Sequence, residues 1–342
     1  MAPGTDIAHL AIVMIYNVDQ SWTWPEKAVV KDAVGQLMKA LIAEGHRVVD
    51  VPVTNADLAA VLRPFDPCSH IIFNCCEELP GIPKSDVRAA MILEELGYIY
   101  TGSPPEVLSL SWDKPAVKAR LVEQGVPTPY GRVVDAATMD GWNRFPAIVK
   151  PAFEHCSMGV DSNAVVLDER TLYDRVEEVR KAFAQPVLVE DFIDGREFHV
   201  TLWGNGRVEM LPPAEMDFSA FDDVRDRLCT FDSKFTPGSR HYEGIELRIP
   251  APISDVDLAT LRQTSVAAYQ LLGCRDYARI DLRLENEVFY VLDINPNADI
   301  SPDTSLAYAA EAAGMGYGGF AKRIVQLACA RHPGGSAHEA RS

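Results

Sequence analysis

The stretch from Asp276 to Asn297, DYARIDLRLENEVFYVLDINPN, constrains this chain more than any other. Residues 276–284 alternate apolar and polar, Val288 to Ile294 form a second aromatic and β-branched run, and Glu285-Asn286 lies where a hairpin would turn. Paired strands run about 4.8 Å apart with side chains alternating between faces, so Asp281, Asp293 and Asn295 converge on one side of the sheet. Magnesium takes carboxylate and carbonyl oxygens, keeps several waters and completes its shell with substrate phosphates. Three such side chains therefore outline a magnesium site. Read alone they are equally the polar end of a hairpin, and the choice rests on what precedes them.

At 342 residues the chain can hold two or three domains with sizeable cores. No apolar run approaches the roughly 20 residues of a membrane span, which excludes a membrane partner. MAPGTDIAHLAIVMIY has no basic region before its apolar stretch, reads as a first buried strand, and places the protein in the cytoplasm. A formal net charge of −17 repels a polyanion and excludes nucleic acid, yet a few local lysines suffice to hold a triphosphate. The seven cysteines follow no metal or disulfide spacing and read as reduced thiols.

Along the first hundred residues strands alternate with helices. Leu10 to Tyr16, Arg47 to Val53 and His70 to Phe73 read as strands, Val30 to Ile42 as a helix stopped by Gly45, and Ser85 to Leu96 as another closed by Gly97. This is a small doubly wound α/β domain with a parallel sheet and no dinucleotide fingerprint. Glu77 and Glu78 follow its third strand, where such sheets place ligands, and either can hold an ammonium group or belong to a solvated loop. A helix is expected from Ser109 to Gly125 with Pro115 in its first turn. Lys114 then stands at a helix start, against the dipole, which suits an anionic guest.

Pro146 to Lys150 is a short strand ending in a second lysine, and PAFEHCSMGV offers small residues at Cys156, Ser157 and Gly159 whose backbone N–H groups can cradle phosphates. After a strand at 164–167 and a helix at 169–183, Val187 to Ile193 and Glu197 to Gly204 read as strands. Their edge suits an adenine ring, with Glu190 and Glu197 in reach of the amino group and the ribose or simply forming a polar strand face. Residues 213–246 are polar, interrupted by Pro237-Gly238, and read as a mobile lid carrying Lys234. Leu258 to Leu272, Leu306 to Ala313 and a last segment to Ala330 read as helices, and residues 332–342 as a disordered tail.

Lys114, IVKPAFEHCSMGV, VLVEDFIDGREFHV, Lys234, ARIDLR and VLDINPN stand in the order and spacing of the ATP-grasp superfamily, and the chain resembles its D-alanine–D-alanine ligase group. The resemblance implies an N-terminal pre-ATP-grasp α/β domain at 1–104. A central ATP-grasp subdomain at 105–186 and a C-terminal one at 187–331 follow, two α+β units that clasp ATP. By position Lys114 and Lys150 resemble the lysines on the α- and β-phosphates, and Glu154 to Gly159 the loop over the β- and γ-phosphates. Glu190, Asp191 and Ile193 would line the adenine, Glu197 the ribose, and Lys234 the γ-phosphate. Asp281, Asp293 and Asn295 resemble the ligands of two Mg²⁺ ions, for which Mn²⁺ can substitute, and Arg279 the arginine that stabilises a tetrahedral intermediate. Glu77, Cys156, Phe235, Asn297 and Ser305 are the candidate substrate residues.

The implied reaction is ATP-dependent ligation of a small carboxylate, such as an amino acid, to an amine through an acylphosphate, by a homodimer. The departures fall where the family recognises substrate. The turn after the first strand reads IYNVDQSWTWPEK without the family's Gly-rich acidic turn. A serine pair becomes Cys156-Ser157, the lid tyrosine becomes Phe235, and PNADISPDTS replaces a shorter turn. A hydroxyl or thiol nucleophile, giving an ester or thioester, is the enzymatic alternative, and a non-catalytic ATP-binding module is the other.

Overall fold

Burial on both faces decides the first sheet. In the computed structural model, which describes residues 10–134 and 141–331, β1 (Ala11–Asn17) is buried at every position, as an inner parallel strand must be. With α1 (Trp24–Ala43), β2 (Val48–Val53), α2 (Leu58–Leu62) and β3 (His70–Cys75) it forms a parallel sheet of order β2-β1-β3. After α3 (Asp86–Glu95) a bridge from Ile72 to Tyr100 extends its edge. The tail expected to be disordered, 332–342, lies outside the described residues.

The helix expected from Ser109 to Gly125 is two helices, α4 (Pro105–Trp112) and α5 (Lys114–Glu123). Asp113 ends the first and caps the second, accepting the Ala116 N–H at 2.9 Å, and Pro115 cannot donate back into the preceding turn. The break leaves Lys114 at the first position of α5. A second sheet follows from β4 (Gly131–Val134), β5 (Ala147–Pro151), β6 (Val165–Val166) and, beyond α6 (Glu169–Phe183), β7 (Val187–Asp191), in the antiparallel order β4-β7-β5-β6. Leu172, Val176 and Val179 of α6 bury against Val149 and Val189.

The third sheet is built from β8 (Arg196–Trp203), β9 (Glu209–Met210), β10 (Ala214–Asp217), β11 (Glu246–Arg248), β12 (Tyr277–Glu285) and β13 (Val288–Asn295). Its order is β11-β10-β8-β12-β13, with β9 on β8. The lid read over 213–246 is therefore corrected at both ends. Residues 214–217 and 246–248 are sheet strands, and between them stand a 3-10 turn and the short helices α7 (Asp232–Phe235) and α8 (Arg240–Gly244). Polar residues on an outer strand hid its pairing from the periodicity.

The hairpin turn sits one residue later than expected, with Asn286 and Glu287 both at positive φ, as a two-residue turn between twisted strands requires. Ala278, Ile280 and Leu282 of β12 pack with Leu261 and Tyr269 of α9 (Asp255–Leu272), which turns Tyr277, Arg279, Asp281 and Arg283 to the opposite face.

The chain then returns to its start. α10 (Ser305–Ala312) leads to α11 (Tyr317–Cys329), whose Phe320, Ile324, Val325 and Ala328 share one core with Ile12, Met14, Leu37 and Leu41. Asp276, fully buried, accepts the Gly102 N–H at 2.8 Å and the Asn205 amide at 2.9 Å and pairs with Arg331, tying three parts of the chain. Among the described residues no helix is long and apolar enough to cross a membrane.

Candidate active site

Strand alternation writes the site onto the free face of the third sheet. Arg279, Asp281 and Arg283 of β12 pair with Thr201, His199 and Glu197 of β8 on one side, and Arg279 and Asp281 with Asn295 and Asp293 of β13 on the other. Residues two apart on a strand stand roughly 7 Å apart, so the rows run in order from Glu197 and Arg283 through the acids to Arg279 and Tyr277. A register shift between Asp281 and Leu282 leaves Asp281 opposite Asp293, so the acids cluster as the sequence spacing implies.

The donor set fits a hard divalent cation. Asp281 and Asp293 offer carboxylate oxygens and Asn295 an amide oxygen, and the Asn295 amide already lies 3.0 Å from Asp281 Oδ2. Each acid is balanced by a cation. Arg279 donates to Asp281 twice, at 2.6 and 3.0 Å, and Lys114 Nζ lies 3.1 Å from Asp293. Burial alone would raise both carboxyls. Arg279 outweighs it at Asp281, and Lys114 with Lys150 at Asp293, so both sit below the usual carboxylate range and stay ionised.

Lys150, on β5, is buried with its Nζ 2.7 Å from Glu190, whose other oxygen is 2.6 Å from Lys118. Burial would raise Glu190, but Lys118 and Lys150 hold it down. Its carboxylate is thus enclosed by two lysines and holds them in place. Lys118 is a site residue the sequence reading missed. Its signal was the spacing of four from Lys114, which puts both lysines on one face of α5. Asp191 accepts from Arg144 Nε at 2.7 Å, and the Ile193 carbonyl accepts from Arg283 at 2.7 Å. Glu197 is buried. Desolvation would raise it, yet Arg283 at 2.8 Å, with His199, holds it at about 2.

The loop from Phe153 to Gly159 is fixed at several points. Cys156 and Ser157 both take positive φ, and Gly159 (φ +73°) admits no Cβ because one would stand 2.7 Å from the Phe183 ring. Ser157 Oγ donates to the Cys229 carbonyl at 3.0 Å and accepts from Lys234 Nζ at 2.9 Å, joining loop to lid. Glu154 is held from the first domain by Lys84 at 2.5 Å and from α6's end by the Gln185 amide at 2.7 Å. These contacts anchor the loop at Glu154. Phe235 is half-exposed and tilts on Phe231, with ring centroids 4.8 Å apart.

Around Cys156 gather Glu77, Asp299, Lys234 and Arg279, close enough to act on its thiol. Cys156 is exposed at the surface, yet desolvation by the groups around it, with Glu77, pushes its thiol up, and Lys234 and Arg279 do not compensate. Glu77 is exposed, with its N–H bonded to Asn17 Oδ1 at 3.1 Å, and desolvation by the surrounding chain, with Asp299, raises its carboxyl. Asp299, from PNADISPDTS, was also missed; only its place in the longer turn marked it. The acid nearest the first strand, Asp19, is used to hold the Gly81 N–H at 2.7 Å. The Asn297 side chain accepts the Ser103 N–H at 2.9 Å beneath Gly102, joining two chain segments. Ser305 opens α10, half-buried behind the Thr304 cap.

A lysine-lined cleft between two α+β units, with a carboxylate cluster on the hairpin beneath it, defines an ATP-grasp protein. The family model described as D-ala D-ala ligase C-terminus matches residues 132–326. Among curated relatives, the chain is 32% identical to Sinorhizobium fredii y4sG over 91% of itself and 90% of that protein. It is 31% identical to the D-alanine–D-alanine ligase of Desulforudis audaxviator over 84% and 90%. In fold it resembles the crystal structure of Bacillus anthracis D-alanine–D-alanine ligase complexed with ATP, with a TM-score of 0.72 at 21% identity over 93% of this chain and 97% of that one. The chain belongs to the D-alanine–D-alanine ligase family, whose enzymes are ATP-dependent, ADP-forming carboxylate–amine ligases.

Proposed function

We propose that the protein joins an amino acid, activated at its carboxylate as an acylphosphate, to the amine of a second small molecule, releasing ADP and phosphate. The observation that carries this reading is the polarity of the cleft around Cys156. Glu77 and Asp299 act on its thiol in one direction and Arg279 and Lys234 in the other, so acidic and basic groups share one neighbourhood, the mixed charge that a zwitterion requires.

Lys114 and Lys150 hold the nucleotide phosphates in this reading, with Lys118 and Glu190 fixing their positions. Lys234, reaching the loop through Ser157, neutralises charge as the γ-phosphate leaves. Arg279, always protonated and planar, stabilises the oxyanion formed when the amine adds. Asp281, Asp293 and Asn295 would hold Mg²⁺, two ions in our reading, and bound metal supplies charge neutralisation at the phosphates. The raised Cys156 thiol speaks against a thioester route, and Arg279 in the cleft against a purely nucleotide-binding role. We further propose a cytoplasmic homodimer, for which α1 offers exposed Trp24 and Val29; light scattering decides the oligomer.

Incubation with ATP, Mg²⁺ and paired amino acids and amines should release phosphate and an amide stable to neutral hydroxylamine. Phosphate release at background across a broad library overturns the ligase reading, and a hydroxylamine-labile product moves it to an ester or thioester.

A further inference from the structure

We propose that Glu197, His199 and Cys229 form a second metal site, for a thiophilic divalent cation of the Zn²⁺ class. Glu197 and His199 share a face of β8 by alternation, and Cys229 meets them from the segment before α7, its carbonyl anchored by Ser157 Oγ at 3.0 Å. One ligand atom from each lies within 4.8 Å of the other two, and no other group of three or more His, Cys, Asp or Glu side chains does this among the described residues. Bonds of about 2.0–2.3 Å in a tetrahedral shell place ligand atoms roughly 3.5 Å apart, so the three need close by only about an ångström at the widest pair.

The surroundings orient the ligands. Arg283 takes Glu197 Oε2 at 2.8 Å, leaving Oε1 toward His199 Nε2 at 3.5 Å. Imidazole, thiolate and one carboxylate are the donors of zinc rather than magnesium, which separates this group from the all-oxygen cluster of Asp281, Asp293 and Asn295. Binding displaces the Cys229 thiol proton to solvent. The thiolate and the Glu197 carboxylate then balance the dication, and no electron moves. The fourth position stays open to water. Under the nucleotide reading of this cleft, on which this consequence rests, Glu197 cannot serve ribose and metal together, so the ion and ATP compete.

Cobalt reports the site without catalysis. Metal-free protein should take up Co²⁺ with a thiolate charge-transfer band at one ion per chain, lost in Cys229→Ser and retained in Cys68→Ser, and Cys229→Ser should bind Zn²⁺ about 100-fold more weakly. X-ray absorption of the wild-type zinc protein, which depends on no variant folding, should show one sulfur beside nitrogen and oxygen. Absence of the band, an unchanged band in Cys229→Ser, or a shell without sulfur overturns the site. Loss of the band on adding ATP supports competition, and an undiminished band with ATP bound overturns it. Absence of phosphate release with every substrate pair would leave the cobalt spectrum intact, so failure of the ligase reading is separate.

Discussion

Lys150 shows how burial changes what a single substitution reports. Lys150→Ala removes a charge that our reading places on the nucleotide phosphates and should lower turnover by about 10²–10³-fold. It also leaves Glu190 with Lys118 alone in a buried site, so stability should fall by about 3–5 kcal/mol, read from denaturant midpoints. Asp293→Asn keeps the shape beside Lys114 and should lower turnover with a smaller stability loss. Near-normal kcat in either variant would place the reaction elsewhere. Cys156→Ser should retain activity with the same substrate pair, changing KM more than kcat, because the thiol is held protonated. Complete loss with ATP binding intact would restore a covalent route. Of the site residues, Lys150, Asp281, Asp293 and Arg279 were legible because each ends or lines a strand with a strong pattern. Lys118, His199 and Asp299 were not, because their partners lie far away in the chain.

At the scale of elements, the hairpin and its neighbour β8 carry an acid-sensitive charge layer. The Glu197 carboxyl is held at about 2, below its unfolded value near 4.3–4.5. A depressed carboxyl contributes stability that is fully present above the unfolded pKa and is lost as pH falls through the folded one. Glu190, Asp281 and Asp293 shift in the same direction. The melting temperature should therefore drop between pH 4.5 and 2, and Glu197→Gln should shallow that limb relative to wild type. An identical acid limb in the variant would show that Glu197 is not the linked group. In the turn itself, Glu287 holds φ +63°, a conformation that costs a side chain about 1 kcal/mol, so Glu287→Gly should raise stability by about that amount in urea unfolding.

For the whole molecule the telling contact is Lys84, which reaches from the first domain to the Phe153 carbonyl at 3.0 Å and to Glu154, and lies over the Trp112 ring. His155 meets the same ring edge-on at 4.1 Å, so the loop from Phe153 to Gly159 is steadied by these contacts. Lys84→Ala should raise the KM for ATP several-fold with little change in melting temperature, because the lysine is partly exposed and its ion pair is screened. An unchanged KM would mean the loop holds its shape unaided.

The strands and helices around the site, the hairpin beneath it and the order of its lysines and acids were set by local pattern, because periodicity and strand pairing act over short sequence distances. Asp281, Asp293 and Asn295 had to share a face once β12 and β13 paired. What only the tertiary structure decided were the partners. Glu190 faces lysines and not solvent, Glu154 is tied to Lys84, and Asn297 is spent on Ser103. The strands at 214–217 and 246–248 carry too little apolar signal to be seen before they pair. Nor did the sequence place α11 on the face of the first sheet beside α1, because burying an apolar helix face requires only a complementary surface, and that surface can lie anywhere in the chain.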